Sequence, residues 1–475
     1  MPGSGMNLIV MKFGGTSIGS AERMRNVAKI VADAHKNVKP VVVVSAMSTV
    51  TDLLLSAANN ASNGRKSKTL RDLERLETIH LNTISDLNLG DETSVRLHES
   101  ISGLLSELGN LLDSILVMGE LTGRARDKIL SFGERMSIQL VASALEADGI
   151  QAKPIEATKL IVTTDTFGDA RPILEESLTA KTKINKLTSK NIVPVVTGFI
   201  GATHDGITTT LGRGGSDYSA TILGNCIDAD EVWIYTDVDG AMTADPRIIP
   251  EAKTIPELSY AEAAELSYFG AKVLHPLTMV PASLKDIPIR VKNTFNPDAP
   301  GTKISNRKNR AKNGCKAISS MNRLSLITVQ GQGMTGVPGI AAKVFGTIAA
   351  QQINVLFISQ ASSEYNISLV VRHDDGEKAV RVLREAFEAE LARRNIESVK
   401  LEENLAIIAV VGDNMQGHPG AAGKTFSALG NAGVNVVAIA QGSSELNISL
   451  VVNQTDVPVA VQSIHNEFKL AGRER

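Results

Sequence analysis

The hexapeptide Asn-Ile-Ser-Leu-Val-Val occurs at Asn366–Val371 and again at Asn447–Val452, an offset of 447 − 366 = 81 residues. The same offset superposes Gly331 on Gly412, Met334 on Met415, Pro338-Gly339 on Pro419-Gly420, Lys343 on Lys424 and Gln360 on Gln441. Nothing else restricts the fold so strongly, because two copies of one pattern must form two copies of one unit. Each copy reads strand, glycine turn, helix, strand, strand, helix, the order of a small α+β sandwich. We expect two such modules, at 315–400 and 401–475. A glycine turn that opens a helix points backbone N–H groups at an anion, so the pair reads as ligand-sensing modules. A duplicated domain without a ligand is the plain alternative, since one fold hosts many functions.

Gly331, Gly333 and Gly336 in the first copy satisfy G-x-G-x-x-G, the fingerprint of a dinucleotide-binding turn. The surroundings reject that use. The second copy has Asp413-Asn414 where the middle glycine would fall, and Asn354 and Val355 stand where an acidic residue is needed about 20 positions on. The unit is also too short for half of a dinucleotide-binding sheet.

Ahead of the repeat the chain alternates strands and helices. Leu8–Phe13 is an apolar run ending at Gly14-Gly15, a buried strand entering a turn. Ser20 opens a helix whose apolar positions Met24, Val27, Ala28, Val31 and Ala34 keep the helical period. The four valines Val41–Val44 read as a central parallel strand. Residues 52–130 read as a helical insertion, with leucines at 104, 105, 108, 111 and 112. Strand-like runs resume at Ile192–Val196 and Glu231–Tyr235, interleaved with helices. The alternation predicts an α/β domain over 6–305, a parallel-rich central sheet between helical layers. A last strand at Pro288–Lys292 is followed by the Pro-, Gly- and Asn-rich Asn293–Gly314, which reads as a linker. Met1–Gly5 reads as a non-native extension ahead of Met6 and is left out of the fold argument.

Composition narrows the partners. Across 475 residues, 49 Lys and Arg face 51 Asp and Glu, a net charge of -2 that supports neither nucleic-acid nor anionic-membrane binding. No apolar run approaches the roughly 18 residues of a membrane span, and no secretory leader is visible. Cys226 and Cys315 are too few for a disulfide framework and lack zinc spacing, so a reducing cytoplasm is expected.

The chemistry concentrates in a few stretches. Thr209–Ala220, T-T-L-G-R-G-G-S-D-Y-S-A, sets Gly212, Gly214 and Gly215 around Arg213, whose planar fork grips a carboxylate or phosphate in two places. Ser216 and Asp217 read as the cap of the following helix, whose N-terminus favours negative charge. Lys12-Phe13-Gly14-Gly15-Thr16-Ser17 places a lysine at a strand end before a glycine pair, a phosphate cradle with a point charge for phosphoryl transfer. No G-x-x-x-x-G-K-[ST] occurs. Thr236-Asp237-Val238-Asp239-Gly240 follows a strand, with Asp245-Pro246-Arg247 close behind, where Mg²⁺ or phosphate contacts would fall. An ordinary Asp-Gly turn is the alternative. Phe269–Pro276 adds Lys272 beside a glycine, and His275, which lacks a partner at metal-ligand spacing, reads as a packed histidine. Ser131-Phe132-Gly133-Glu134-Arg135 sets a carboxylate and a guanidinium at a helix start, a receptor for an amine and a carboxylate or else a solvated ion pair.

Together, K-F-G-G-T-S at 12, S-A-M-S-T-V-T-D-L-L at 45, S-F-G-E-R at 131, G-F-I-G through G-R-G-G-S-D-Y-S-A at 198–220, T-D-V-D-G with D-P-R at 236–247 and F-G-A-K-V-L-H-P at 269 resemble the aspartate kinases. The resemblance spans nearly the whole chain. It implies an amino-acid kinase fold followed by tandem ACT domains, with ATP and Mg²⁺ as cofactors and Mg²⁺ held mainly through the ATP phosphates. The implied reaction makes 4-phospho-L-aspartate, the first step towards lysine, threonine, methionine and isoleucine. Lys12, Thr236, Asp237, Met242, Arg247 and Lys272 would contact ATP beside the Gly14-Gly15 cradle. Thr51, Glu134, Arg213, Gly214, Gly215 and Ser216 would hold L-aspartate, which leaves the nucleotide phosphates to Lys12 and its glycines. Asp217 would orient catalytic groups, Lys12 among them. An effector amino acid, threonine, lysine or both, would lie near Gly336, Val337, Pro338, Gly339, Ile340 and Ala341, with Asn354, Val355 and Gln360. A homodimer or homotetramer joined through the ACT modules is implied, without a homoserine dehydrogenase half. Two rivals stand beside this reading: another amino-acid kinase acting on glutamate, N-acetylglutamate or a nucleotide, and a non-catalytic amino-acid sensor on the kinase fold.

Overall fold

The computed structural model describes residues 6–270, 274–307, 314–412, 415, 419–442 and 445–472. Contacts divide these into two units. The first takes the chain as far as Ala241, returns for Pro256–Ala264 and again up to Arg307. The second takes Met242–Ile255, the stretch from Glu265, and the remainder after Arg307.

The first unit is built on strands Leu8–Phe13 (β1), Lys39–Val44 (β2), Ala152–Ile155 (β3), Val193–Thr197 (β4), Glu231–Thr236, Glu257–Ser259, Ile289–Asn293 and Thr302–Ser305. Ile200–Ala202 (β5) and Thr208–Thr210 (β6) form a separate hairpin, so the last four sheet strands are β7, β8, β9 and β10. The sheet order is β3-β4-β2-β1-β7-β9-β10-β8, parallel throughout except where β10 runs against β9. Val41–Val44 are wholly buried in it, as a strand covered on both faces requires. Helices Ala21–His35 (α1), Val50–Ser62 (α2), Lys66–Leu87 (α3), Asp91–Met118 (α4) and Gly123–Ala147 (α5) share one core with β1 and β2. The Ser20 hydroxyl caps α1 by accepting the Arg23 N–H at 3.3 Å. Helix α4 has the length and hydropathy to cross a membrane, but its stripe Leu97, Ile101, Leu105, Leu108, Leu112 and Ile115 is buried in this core. Thr179–Thr188 (α6), Gly215–Ile227 (α7), Tyr260–Tyr268 (α8) and Met279–Ser283 (α9) complete the helices before the repeat.

Two expectations are corrected here. Asn293–Gly314 is not simply a linker: Thr302–Ser305 turns back at Gly301 and joins the sheet, a four-residue strand too short to carry a period. The Ser131–Arg135 motif is not a helix start but the middle of α5.

The second unit carries a six-stranded antiparallel sheet, Ala317–Gln330 (β11), Phe357–Gln360 (β12), Asn366–Arg372 (β13), Ser398–Val411 (β14), Val436–Ala440 (β15) and Asn447–Asn453 (β16), in the order β12-β13-β11-β14-β16-β15. Helices Ile340–Ala350, His373–Ala386 and Glu388–Ala392 (α10 to α12) belong to the first copy, Ala421–Asn431 and Val457–Glu467 (α13, α14) to the second. The element order within each copy is the expected one. The partition is not. Ala317–Met321 pairs with Val411–Ile407 of the second copy, and only past a bulge at the left-handed Arg323 does β11 join the first. Ile318 accordingly packs with Ile408, Leu450 and Phe468, whereas Val399 of β14 packs with Ile327 and Phe387. A boundary between 400 and 401 therefore cuts a strand, and the two modules exchange the leading parts of β11 and β14. Ala244 and Ile249 also lie in the second module's core, outside the domain expected to hold them. Gly331 and Gly333 are packing glycines: a Cβ on either would come within 2.5–2.6 Å of the Asn395 backbone.

Candidate active site

Parallel strands of an open sheet leave their loops together at the carboxyl edge. In register, Phe13 stands beside Val44 and Tyr235, and Val44 beside Thr197. The loops after β1, β2, β4 and β7, starting at Gly14, Ser45, Gly198 and Asp237, therefore emerge side by side. A cleft of about 440 Å³ opens there, lined by Lys12, Gly15, residues 45–49, Thr51, Asp52, Glu134, Phe199 and residues 212–217.

Lys12 is buried and pairs with Asp217 from the first turn of α7. Asp217 and Ser216 do not cap that helix, as the sequence led us to expect. Gly214 is the N-cap at φ 70°, and the chain turns there without a side-chain cap, which frees the Asp217 carboxylate to reach Lys12. Gly214 admits no side chain: besides the left-handed φ, a Cβ would stand 2.4 Å from His275 Cβ. His275 is the packed residue expected, capping a short turn through Nδ1 and the Leu277 N–H at 3.4 Å. Burial, and then the Arg213 charge, lower its pKa. Arg213 itself is exposed.

Glu134 enters the cleft from α5, fully enclosed. One carboxylate oxygen accepts the Ala46 N–H at 3.0 Å, and the other has no polar partner. Desolvation pushes the carboxyl up to about 8. Arg135 is not its companion. The guanidinium stacks on Phe132 at 4.6 Å and is bonded to Glu107 of α4 at 3.0 Å, because adjacent positions on a helix face different directions.

Of the residues expected to hold nucleotide, Lys12 and Gly15 line the cleft, and Gly14 adjoins them. Thr236 ends the neighbouring β7 and Asp237 follows it. Met242 and Arg247 belong to the second unit, where Met242 bridges to Thr254 and the exposed Arg247 forks onto Asp245, with its shortest contact at 2.6 Å. Lys272 lies outside the described residues. All the residues expected to hold the amino acid, Thr51, Glu134, Arg213, Gly214, Gly215 and Ser216, line the cleft. Gly336–Gly339 form an exposed turn before α10, Ile340 and Ala341 open that helix, and Asn354, Val355 and Gln360 flank or end β12.

Thr49 and Phe199 join the site without being among the residues expected there. Both line the cleft with left-handed backbone, φ 70° and 64°, and among the described non-glycine residues with positive φ they are the β-branched one and the aromatic one. Such residues are costly there, so the surrounding structure must hold them in place. Their motifs, at 45 and 198, were the available signal.

A kinase-type sheet with a lysine and glycine turn at its carboxyl edge, followed by paired sandwiches, matches two sequence families. The amino acid kinase family profile covers residues 7–293, and the ACT domain profile covers 327–387 and 408–468. Aspartokinase 2, chloroplastic, of Arabidopsis thaliana is 39% identical over 475 residues, covering 98% of this chain and 85% of its own. The bifunctional aspartokinase/homoserine dehydrogenase 1, chloroplastic, of Zea mays is 37% identical over 468 residues, covering 97% of this chain and 50% of its own. The chain spans about half the length of such bifunctional relatives. The crystal structure of E. coli aspartokinase III with aspartate and ADP superposes with a TM-score of 0.80 at 31% identity, covering 97% of this chain and 99% of that one. This chain belongs to the aspartokinase family.

Proposed function

We propose that the chain is an aspartate kinase that moves the γ-phosphoryl group of MgATP onto the side-chain carboxylate of L-aspartate, giving 4-phospho-L-aspartate and ADP. The observation that carries this is the charge pattern of one cleft: an exposed Arg213, a buried Lys12 paired with a half-buried Asp217, and a buried Glu134 oxygen without a partner. A small molecule with one ammonium and two carboxylates complements it. The ammonium satisfies Glu134, the α-carboxylate suits the Arg213 fork, and the side-chain carboxylate is left for transfer. That E. coli aspartokinase III was solved with aspartate and ADP, and with lysine and aspartate, supports the pairing of substrate, nucleotide and effector.

The acceptor carboxylate is already ionised at neutral pH, so the site needs alignment and charge compensation more than a strong base. Lys12 and the N-terminus of α7 supply positive potential where charge builds up, and Asp217 orients the Lys12 ammonium. Mg²⁺ would arrive on the nucleotide phosphates, which supply most of its oxygen ligands. The exposed turn Gly336–Gly339 and the helix start Ile340–Ala341, with Asn354, Val355 and Gln360, are the place for a feedback effector, threonine, lysine or both, in an assembly joined through the ACT modules. Two free, buried cysteines suit a reducing compartment.

Lys12→Ala tests the chemistry. We expect kcat to fall by about 100- to 1,000-fold with the far-ultraviolet circular dichroism unchanged. Near-normal turnover would remove Lys12 from the mechanism.

A further inference from the structure

Asn293-Thr294-Phe295-Asn296 opens the stretch that reads as a linker, yet each of its residues is engaged with the loops around the glycine turn. Thr294 is fully buried and makes three bonds in three directions. Its N–H donates to the Thr236 carbonyl at 2.9 Å, at the end of β7. Its hydroxyl meets the buried Ser17 hydroxyl at 2.7 Å, inside the turn Gly15–Ile18. Its carbonyl accepts Asn26 Nδ2 of α1 at 2.9 Å. On either side, Asn293 and Asn296 both donate to the same Asp239 oxygen, at 2.7 and 3.2 Å. Arg23 lies over the Phe295 ring at 5.3 Å and donates to the Thr16 carbonyl at 2.8 Å.

These bonds join two loops that sequence alone treats separately, the glycine turn after Lys12 and the Thr236–Gly240 loop. We propose that Thr294, with Asn293 and Asn296, forms a clamp that fixes the spacing of these two loops and so positions the nucleotide. The proposal rests on reading both loops as the MgATP site. The physical case is the buried hydroxyl pair. Neither Ser17 nor Thr294 can exchange its partner for water, so the pair sets one distance between the loops and losing either member leaves the other unsatisfied. A site built from two loops loses affinity when their separation is loosened by even a fraction of an ångström. None of the three residues needs to touch the reacting atoms, so they are positioning residues.

The test compares Thr294→Val, Thr294→Ser and Asn296→Ala in the full chain, reading the Kd for ADP by calorimetry and KM for MgATP and for L-aspartate separately. Valine keeps the shape and removes the hydroxyl. We expect the ADP Kd and the MgATP KM to rise about tenfold, one lost buried hydrogen bond's worth, while the L-aspartate KM stays within about twofold. Serine should restore wild-type constants, and the exposed Asn296→Ala should raise the same two constants about two- to threefold. The clamp is overturned if Thr294→Val binds ADP as wild type does, if both KM values rise together, or if serine fails to rescue. Should Thr294→Val not fold, an unchanged ADP Kd in Asn296→Ala overturns it equally. A wild-type chain that binds ADP but leaves aspartate untouched rejects the acceptor assignment alone, with the clamp still judged on ADP. A chain that does not bind ADP rejects both.

Discussion

Glu134 carries more of the account than any other side chain. Its enclosed carboxyl is pushed up to about 8 because burial penalises the charge, and backbone N–H groups, Ala46's foremost, only partly offset that. Between its ordinary value, 4.5, and about 8 the folded chain thus holds a proton that the unfolded chain releases. Its contribution to stability is complete below that ordinary value and is lost as pH rises through about 8. Glu134→Gln should flatten the dependence of the unfolding free energy on pH, which over that window amounts to about a few kcal/mol, as urea melts at each pH would show. An ammonium against the unpartnered oxygen favours the charged form, so aspartate uptake below about pH 8 releases a proton. We therefore expect the aspartate KM to fall as pH rises towards 8, and Glu134→Gln to bind aspartate at least about tenfold more weakly with that slope gone. Identical pH profiles in the two proteins would contradict this. At this scale the sequence showed the residue types but not their directions. Glu134 and Arg135 are one motif on paper and point to different neighbours from α5, Ala46 and Glu107. The left-handed backbone at Thr49 and Phe199 was invisible for a similar reason, since a β-branched and an aromatic residue argue for strands.

Among the elements, β1, β2, β4 and β7 were legible because buried parallel strands are continuous apolar runs, and the carboxyl edge that gathers the cleft follows from that order. What escaped was pairing between distant segments. Nothing in Ala317–Met321 announces that it lies beside Ile407–Val411 while the rest of β11 lies beside Arg372–Asn366. The left-handed Arg323 and Asn404 let β11 and β14 bend between modules, and neither is a glycine that would have marked the place. A fragment of residues 401–475 should consequently fail to fold, because its sheet lacks Ala317–Met321 and its core lacks Cys315 and Ile318. Nuclear magnetic resonance decides it: poorly dispersed amide signals are expected, and a cooperatively folded fragment would refute the exchange of strands. The loss of the expected Ser216–Asp217 cap has the same origin, since the capping rule reads local sequence and Asp217 is claimed by Lys12, far away along the chain.

For the whole molecule, the duplication at offset 81 correctly announced two like modules, and the ACT profile falls on both copies. It could not divide the chain, because Met242–Ile255 folds with the second unit although it sits amid residues of the first. If those modules sense an end-product amino acid, lysine or threonine should raise Tm, with the folded state gaining about 2.7 kcal/mol at a hundredfold excess over Kd. No shift with either would count against feedback through this unit. The central claim is that the cleft accepts aspartate as a phosphoryl acceptor. Incubating the full chain with MgATP, hydroxylamine and, separately, L-aspartate, L-glutamate or carbamate measures this most directly, since hydroxylamine traps an acyl phosphate. Aspartate hydroxamate is expected in step with ADP release, with neither product above background for the other two acceptors. No hydroxamate from aspartate, or as much from glutamate, would contradict it.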